Sequence, residues 1–283
     1  MTVSGLLRHG ISFLKDKEIP NYSNEARWIL EAVLSCTREY IVFHGDKDVD
    51  RSAQEDYFSR LERRAKGEPV QYVIGTWDFY GEKFCVGKGV LIPRPETELL
   101  VDFAIEYLKG KKNPVVYDLC SGSGCVGLSV AVNVPDATVY LIEKSDDAFR
   151  YLEKNIELSA CKNVRGIKGD IFDGFEKFNL PEPDVILSNP PYIESKDISS
   201  LQSEVLREPI MALDGGEDGY DFYTAINDKW LPYCKGAIAV ECGEGQAETI
   251  EDMFSSHCGK TYSVTDFNDI KRAVIGYVGT ERK

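Results

Sequence analysis

The chain has 283 residues, 43% hydrophobic and 28% charged, which is enough for one large folded domain and a smaller one, each with its own core. Its 33 basic and 47 acidic residues leave a formal net charge of −14, which argues against broad, sequence-independent attachment to a phosphate backbone and makes a protein the expected macromolecular partner. No run reaches the roughly 18 consecutive apolar residues of a spanning helix, and the start MTVSGLLRHGISFLKDKEIP lacks the pattern of a secretory signal, so the expected location is the cytoplasm, away from membranes.

Residues 1 to about 70 carry helical periodicity. Ala26, Ile29, Leu30, Val33 and Leu34 form one apolar stripe, and Tyr57, Phe58 and Leu61 another. The segment SRLERRAKGEP closes the last of these helices, with basic residues in its final turn and Gly67 and Pro69 beyond. In TWDFYGEKFCVGKGVLIP, residues 76 to 93, Phe79, Phe84, Val86, Val90 and Ile92 alternate around glycines 81, 87 and 89, which predicts a hairpin. RPETELLVDFAIEYLKG then predicts a helix with Pro95 in its first turn, Glu96 and Glu98 at the positive end of its dipole, and Gly110 as its stop. The resulting partition is a helical domain over 1–72, a hairpin linker over 73–93 and an α/β domain over 94–283.

From residue 114 short apolar runs alternate with longer mixed segments: PVVYDL, TVYLIE, VRGIKG, DVILS, GAIAVE, TYSVTDF and RAVIGYVG. Seven strands are predicted, in a mainly parallel sheet with helices on both faces, and the last two lie close enough in sequence to form an antiparallel pair.

The first strand runs into DLCSGSGCVG, residues 118 to 127. Gly122, Gly124 and Gly127 would let a nucleotide-like ligand approach the backbone between a strand end and a helix start, although a GxGxxG spacing alone is a weak signal. Glu143 ends the second strand, where an acid meets two ribose hydroxyls, and Asp170 follows the third near the expected adenine edge. Asp118 separates the candidate ligands: a carboxylate directly before the glycine loop would repel a pyrophosphate, whereas S-adenosylmethionine presents an amino group and a sulfonium and no phosphate. The alternative is that Asp118 merely caps the turn or the following helix.

After the fourth strand come Asn189, Pro190, Pro191 and Tyr192. Proline removes an N–H and keeps a C=O, so this loop is stiff and rich in acceptors. A substrate NH₂ can donate one hydrogen to the Asn189 side-chain oxygen and one to the Pro190 carbonyl, with Tyr192 packed on its flat face. A conjugated nitrogen is a poor nucleophile, and holding both N–H groups aims its lone pair, a positioning effect that can reach ~7 kcal/mol or more.

DLCSGSG, Glu143, GDIF at 169–172 and NPPYI at 189–193 look like the motifs of class I methyltransferases that act on planar nitrogen. EPVQYVIGTWDFYGEKFCVGKGVLIPRPETELLV (68–101), REPIMALDGGEDGYDFY (207–223) and ECGEGQAETI (241–250) resemble the bacterial release factor glutamine methyltransferases, the PrmC or HemK family. The resemblance implies a Rossmann-like, seven-stranded methyltransferase domain after a small all-α domain that contacts the release factor. The implied reaction is transfer of a methyl group from S-adenosylmethionine to the glutamine of the GGQ loop in class I release factors. Carried over by position, it implies cofactor contacts at Cys120, Ser121, Gly122, Ser123, Gly124, Glu143, Ile171 and Asn189, with Asp118 and Asp170 added from the strand-end reading. Asn189, Pro190, Pro191 and Tyr192 would hold the glutamine amide, with Asn189, Pro190 and Tyr192 in the catalytic role. The chain departs from the usual pattern at Cys120 and Ser121 (commonly Gly-Thr), at Glu143 (commonly Asp) and at Ile171 (often Trp or Leu).

Eight cysteines form no CxxC pair and the histidines, His9, His44 and His257, are dispersed, so reduced thiols and no metal are expected. A monomer without stable nucleic-acid binding is expected. The competing readings are a nucleic-acid amino-methyltransferase with the same NPPY site, which should show a basic channel, a dinucleotide-dependent oxidoreductase, which would leave Asp118 and NPPY without a role, and a non-catalytic adaptor.

Overall fold

A computed structural model of the chain describes residues 1–279. They divide into two compact units, Met1–Trp77 with Gln202–Arg207, and Asp78–Leu201 with the residues from Glu208 onward.

The first unit contains α1 (Val3–Asp16), α2 (Tyr22–Leu34), α3 (Arg38–Phe43), α4 (Arg51–Ala65) and α5 (Val70–Ile74). Side-chain oxygens of Thr2, Thr37 and Asp50 cap α1, α3 and α4, each accepting from a backbone N–H that has no partner within the helix. The core joins Leu6, Leu14, Ala26, Ile29, Leu30, Tyr57 and Leu61, so both sequence stripes face inward. Helix α5 runs through residue 72, the boundary expected from sequence, and the unit continues to Trp77. It also takes up Gln202–Arg207, a distant segment with no helical period of its own. Arg64, 1% exposed, accounts for part of that: it pairs with Glu25 at 2.5 Å and reaches Glu204 at 2.6 Å.

Strands β1 (Thr76–Phe79) and β2 (Glu82–Cys85) form the hairpin. The chain from Val86 to Arg94 is irregular, where the sequence pattern predicted more strand, yet Val90 and Ile92 are buried. A 3-10 turn over Pro95–Thr97 leads into α6 (Glu98–Leu108).

The remaining elements are β3 (Val115–Leu119), α7 (Cys125–Asn133), β4 (Thr138–Glu143), α8 (Asp146–Ser159), β5 (Val164–Lys168), β6 (Val185–Ser188), α9 (Asp221–Lys229), β7 (Ala237–Glu241), α10 (Ala247–Phe254), β8 (Cys258–Thr265) and β9 (Lys271–Val278). The seven predicted strands are all present, in spatial order β5-β4-β3-β6-β7-β9-β8. The first five are parallel, and β9 runs antiparallel to both of its neighbours. Alternate residues serve opposite faces: Val116, Val139, Leu141, Val185 and Leu187 join one core, while Tyr117, Tyr140, Ile142, Ile186 and Ile238 join the other. Burial on both faces explains why these strands read as continuous apolar runs. From β3 the chain builds outward through β4 and β5, then returns to β6 on the other side of β3. That reversal opens a crevice at the carboxyl ends of β3 and β6, the place where open α/β sheets bind ligands.

Candidate active site

A cavity open to solvent, with a volume of about 110 Å³, lies at this crevice. Asp118, Cys120, Ser121, Gly122, Ser123, Glu143, Asp170, Ile171, Asn189 and Pro191 line it, so ten of the residues singled out from sequence border one cavity. Three do not. Gly124 is the left-handed N-cap of α7, Pro190 is buried in the loop, and Tyr192 turns its hydroxyl away toward Glu241.

The glycine loop is shaped by its carboxylates. Asp118, 1% exposed, accepts from the Gly127 N–H in the first turn of α7 at 2.9 Å, which is the capping role weighed as the alternative. Only Oδ2 is used, and the residue still borders the cavity. Burial, less the Gly127 hydrogen bond and reinforced by the Glu143 charge, pushes its pKa up to about 7. A Cβ at Gly127 would meet Leu141 at 2.1 Å and Asp118 at 3.1 Å, so the helix approaches the sheet only because no side chain is there.

Glu143 accepts from Gly122 N–H at 2.8 Å and from Ser145 N–H at 2.6 Å, one bond on each oxygen. Those bonds fix the carboxylate plane and leave each oxygen a further lone pair for a hydroxyl. Burial raises its pKa, the backbone donors working the other way. Asp170 accepts from Phe172 N–H at 3.0 Å and pairs with Lys144 at 2.8 Å; partial burial raises its pKa, but these partners prevail and hold it low. Cys120 adopts a positive φ of 59° without being glycine, and burial beside Glu143 and Asp118 raises its thiol pKa well above the ordinary value, so it stays protonated and is no nucleophile.

On the far side, the Asn189 Nδ2 donates to Thr97 Oγ1 at 3.1 Å, and Thr97 donates to Glu241 at 2.5 Å. Asn189 Oδ1 and the Pro190 carbonyl take no hydrogen bond from the described residues, and of the two residues Asn189 borders the cavity. The loop is clamped from beyond: Gln246 Nε2 donates to the Tyr192 carbonyl at 3.0 Å while its Oε1 accepts from Gly243 N–H at 2.9 Å. Gly215 packs beneath it, where a Cβ would come within 2.7 Å of Tyr192 Cα and 2.9 Å of the Pro191 carbonyl.

Glu208, 5% exposed, joins two further wall segments by accepting from Ile92 N–H at 3.0 Å and pairing with Arg94. Those segments bring Leu91, Pro93, Thr97, Pro209, Met211 and Ala212 to the cavity. Phe222 lines the opening and meets Phe172 edge to face with ring centres 5.0 Å apart. Thr97, Glu241 and Glu208 were not singled out from sequence as functional, although Thr97 lies in the PRPETE segment and Glu241 in ECGEGQ. One signal was available: Glu241, like Asp118 and Glu143, is an acid near the carboxyl end of a parallel strand.

The donor set suits an adenosine carrying a cationic amino acid tail. Glu143 offers acceptors for a diol, Asp118 a carboxylate for a positive group, and Ile171, Val126 and Phe222 apolar surface for a flat ring. Among the described residues no group of His, Cys, Asp and Glu is arranged to hold a metal ion.

Comparison with known proteins places the chain in a family. The family model described as the PrmC N-terminal domain matches residues 5–75, and that of the methyltransferase small domain matches residues 97–217. The chain is 36% identical to the release factor glutamine methyltransferase of Geobacter sulfurreducens, over 98% of this chain and 97% of that protein. It is 42% identical to that of Thermodesulfovibrio yellowstonii over 69% of this chain and 71% of that one. The hMettl16 catalytic domain, solved with the MAT2A 3'UTR hairpin 6, shares the fold at 13% identity and a TM-score of 0.57, covering 80% of this chain and 82% of that one.

Proposed function

The chain belongs to the release factor glutamine methyltransferases, and on that premise we propose how its residues methylate the side-chain amide nitrogen of the glutamine in the GGQ motif of class I peptide chain release factors. S-adenosylmethionine, held along the glycine loop, supplies a methyl carbon made electrophilic by its sulfonium, with S-adenosylhomocysteine as co-product. Glu143 orients the ribose by accepting from its hydroxyls, and Asp118 offsets the positive charge of the tail. Ile171, Asp170 and Phe222 border the base.

The glutamine amide NH₂ donates one hydrogen to Asn189 Oδ1 and the other to the Pro190 carbonyl. Both bonds lie in the amide plane, so the nitrogen's π electron pair points out of that plane, toward the methyl carbon. That pair forms the new N–C bond as the C–S bond breaks onto sulfur, and one N–H proton is then released to solvent water. Two fixed acceptors favour the transition state, in which positive charge grows on nitrogen, and need no reorganisation when it forms. Cys120 takes no covalent part.

The observation that carries this reading is the unengaged Asn189 Oδ1 beside the cavity, with its Nδ2 tied back to Thr97. To test it, the protein is incubated with S-adenosylmethionine and, separately, a class I release factor, DNA and RNA, and any added methyl group is located by mass spectrometry. A methyl group on the release factor glutamine is expected. A methyl group on a base amino nitrogen, with none on the protein, overturns the reading.

A further inference from the structure

Strand β7 delivers Glu241 to the buried side of the acceptor loop, with 4% of its surface exposed. One carboxylate oxygen takes the Thr97 hydroxyl at 2.5 Å, and the other lies 3.4 Å from the Tyr192 hydroxyl. Its backbone carbonyl accepts from the Tyr223 hydroxyl at 2.8 Å, which ties the strand end to α9.

Proton counting gives this arrangement a direction. A threonine hydroxyl has one hydrogen. When that hydrogen goes to an ionised Glu241, the Thr97 oxygen can only accept, so Asn189 must turn its NH₂ toward Thr97 and its carbonyl oxygen toward the cavity. With the Tyr192 hydroxyl donating to Oε1, a proton taken up by Glu241 sits on Oε2 and reverses the chain: the carboxyl donates to Thr97, Thr97 donates to Asn189, and the carboxamide presents NH₂ to the cavity. Two NH₂ groups would then face each other, and the substrate amide would lose an acceptor.

We infer that Glu241 is a positioning residue for methyl transfer: acting through the Thr97 hydroxyl, its ionised carboxylate sets the direction of the Asn189 carboxamide, and its protonation switches the site off. This rests on the acceptor role assigned to Asn189 above. The charged and titratable groups around Glu241 are Glu96 before α6, Arg272 on β9, Tyr192, Tyr223, Cys242 and Cys125. Burial raises its pKa to about 7, the Thr97 hydrogen bond lowering it and Glu96 raising it, so the switch falls in the physiological range.

The test has one readout independent of substrate and one that uses it. In protein labelled with ¹⁵N at asparagine side chains, the Asn189 signal is identified by its loss in Asn189→Ala. It should shift with a midpoint near pH 7 in the unmodified chain, and that shift should vanish in Glu241→Gln and in Thr97→Val. In methyl transfer at saturating cofactor and release factor, Thr97→Val should lower kcat on the order of 100-fold with both KM values nearly unchanged. Thr97→Ser should recover most of the rate. Glu241→Gln cannot titrate, and with its oxygen kept for the Tyr192 hydroxyl its NH₂ faces Thr97 and imitates the protonated carboxyl, so it should lower kcat and lose the acid limb of the kcat profile. An Asn189 signal indifferent to pH and to both substitutions overturns the inference, as does wild-type turnover in Thr97→Val. Should the unmodified chain leave the release factor unmethylated, the functional reading falls, and the Asn189 signal still decides the positioning role.

Discussion

The two units treat buried charge in opposite ways. In the helical unit Arg64 meets charges of the other sign, Glu25 and Glu204. In the methyltransferase unit Asp118, Glu143 and Glu241 are buried with hydrogen bonds from neutral donors only, backbone N–H groups and hydroxyls. An ion pair offsets part of its desolvation cost with the opposite charge, whereas a carboxylate held by neutral dipoles keeps most of that cost, and burial raises the pKa of all three, to about 7 at Asp118 and Glu241. The first arrangement suits structure. The second suits the cationic cofactor proposed above.

Breaking the ion pair should have the largest effect. Arg64→Met leaves Glu25 buried and unpaired, at a cost of about 3–5 kcal/mol to the helical unit, and Arg64→Met with Glu25→Leu should recover much of that. Differential scanning calorimetry checks both variants, and equal melting temperatures for the single and double changes would erase the contrast between the units. Next is Asn189→Ala, which should reduce methyl transfer on the order of 100-fold, equivalent to about 2.7 kcal/mol, while the calorimetric affinity for S-adenosylmethionine falls much less.

Third is the charge on Asp118. Asp118→Asn keeps an oxygen for the Gly127 N–H and removes the charge, so cofactor affinity should fall about tenfold at pH 8. In the unmodified chain affinity should rise as pH passes through about 7 and Asp118 ionises; in the variant that rise should be absent.

The same raised pKa values carry a stability consequence. Asp118 and Glu241 titrate near 7 when folded and near 4 when unfolded, so between those limits the folded state binds more protons. Stability of the ligand-free methyltransferase unit should therefore fall as pH rises from about 4 to about 7, and the combined Asp118→Asn, Glu241→Gln variant should flatten the slope. Melting curves across that range check it. The smallest effect belongs to Lys144→Ala, which removes a surface pair with Asp170 and should change stability by less than about 1 kcal/mol.

The sheet was readable because its strands are short apolar runs bounded by turns, and the glycine loop because close approach demands missing side chains. Strand order was not readable, since insertion of β9 between β7 and β8 is a long-range outcome. Asp118 shows the limit within a motif: its residue type announced a strand-end acid, yet the Gly127 bond appears only once α7 is packed. Thr97 and Asn189 are 92 residues apart, and Thr97 and Glu241 144, so no local pattern joins them. Tyr192 was read as a wall because aromatic residues pack on amides, but the carboxylate that draws its hydroxyl aside comes from another strand.

The glycine beneath the acceptor loop has a bearing on how such a site can change its substrate. Because a single methyl group at Gly215 would collide with the Tyr192 and Pro191 backbone, the loop cannot be retuned by graded steps there; any occupant displaces it. Change around the cavity is less constrained at exposed Met211, which borders it, than in the loop that Gly215 supports.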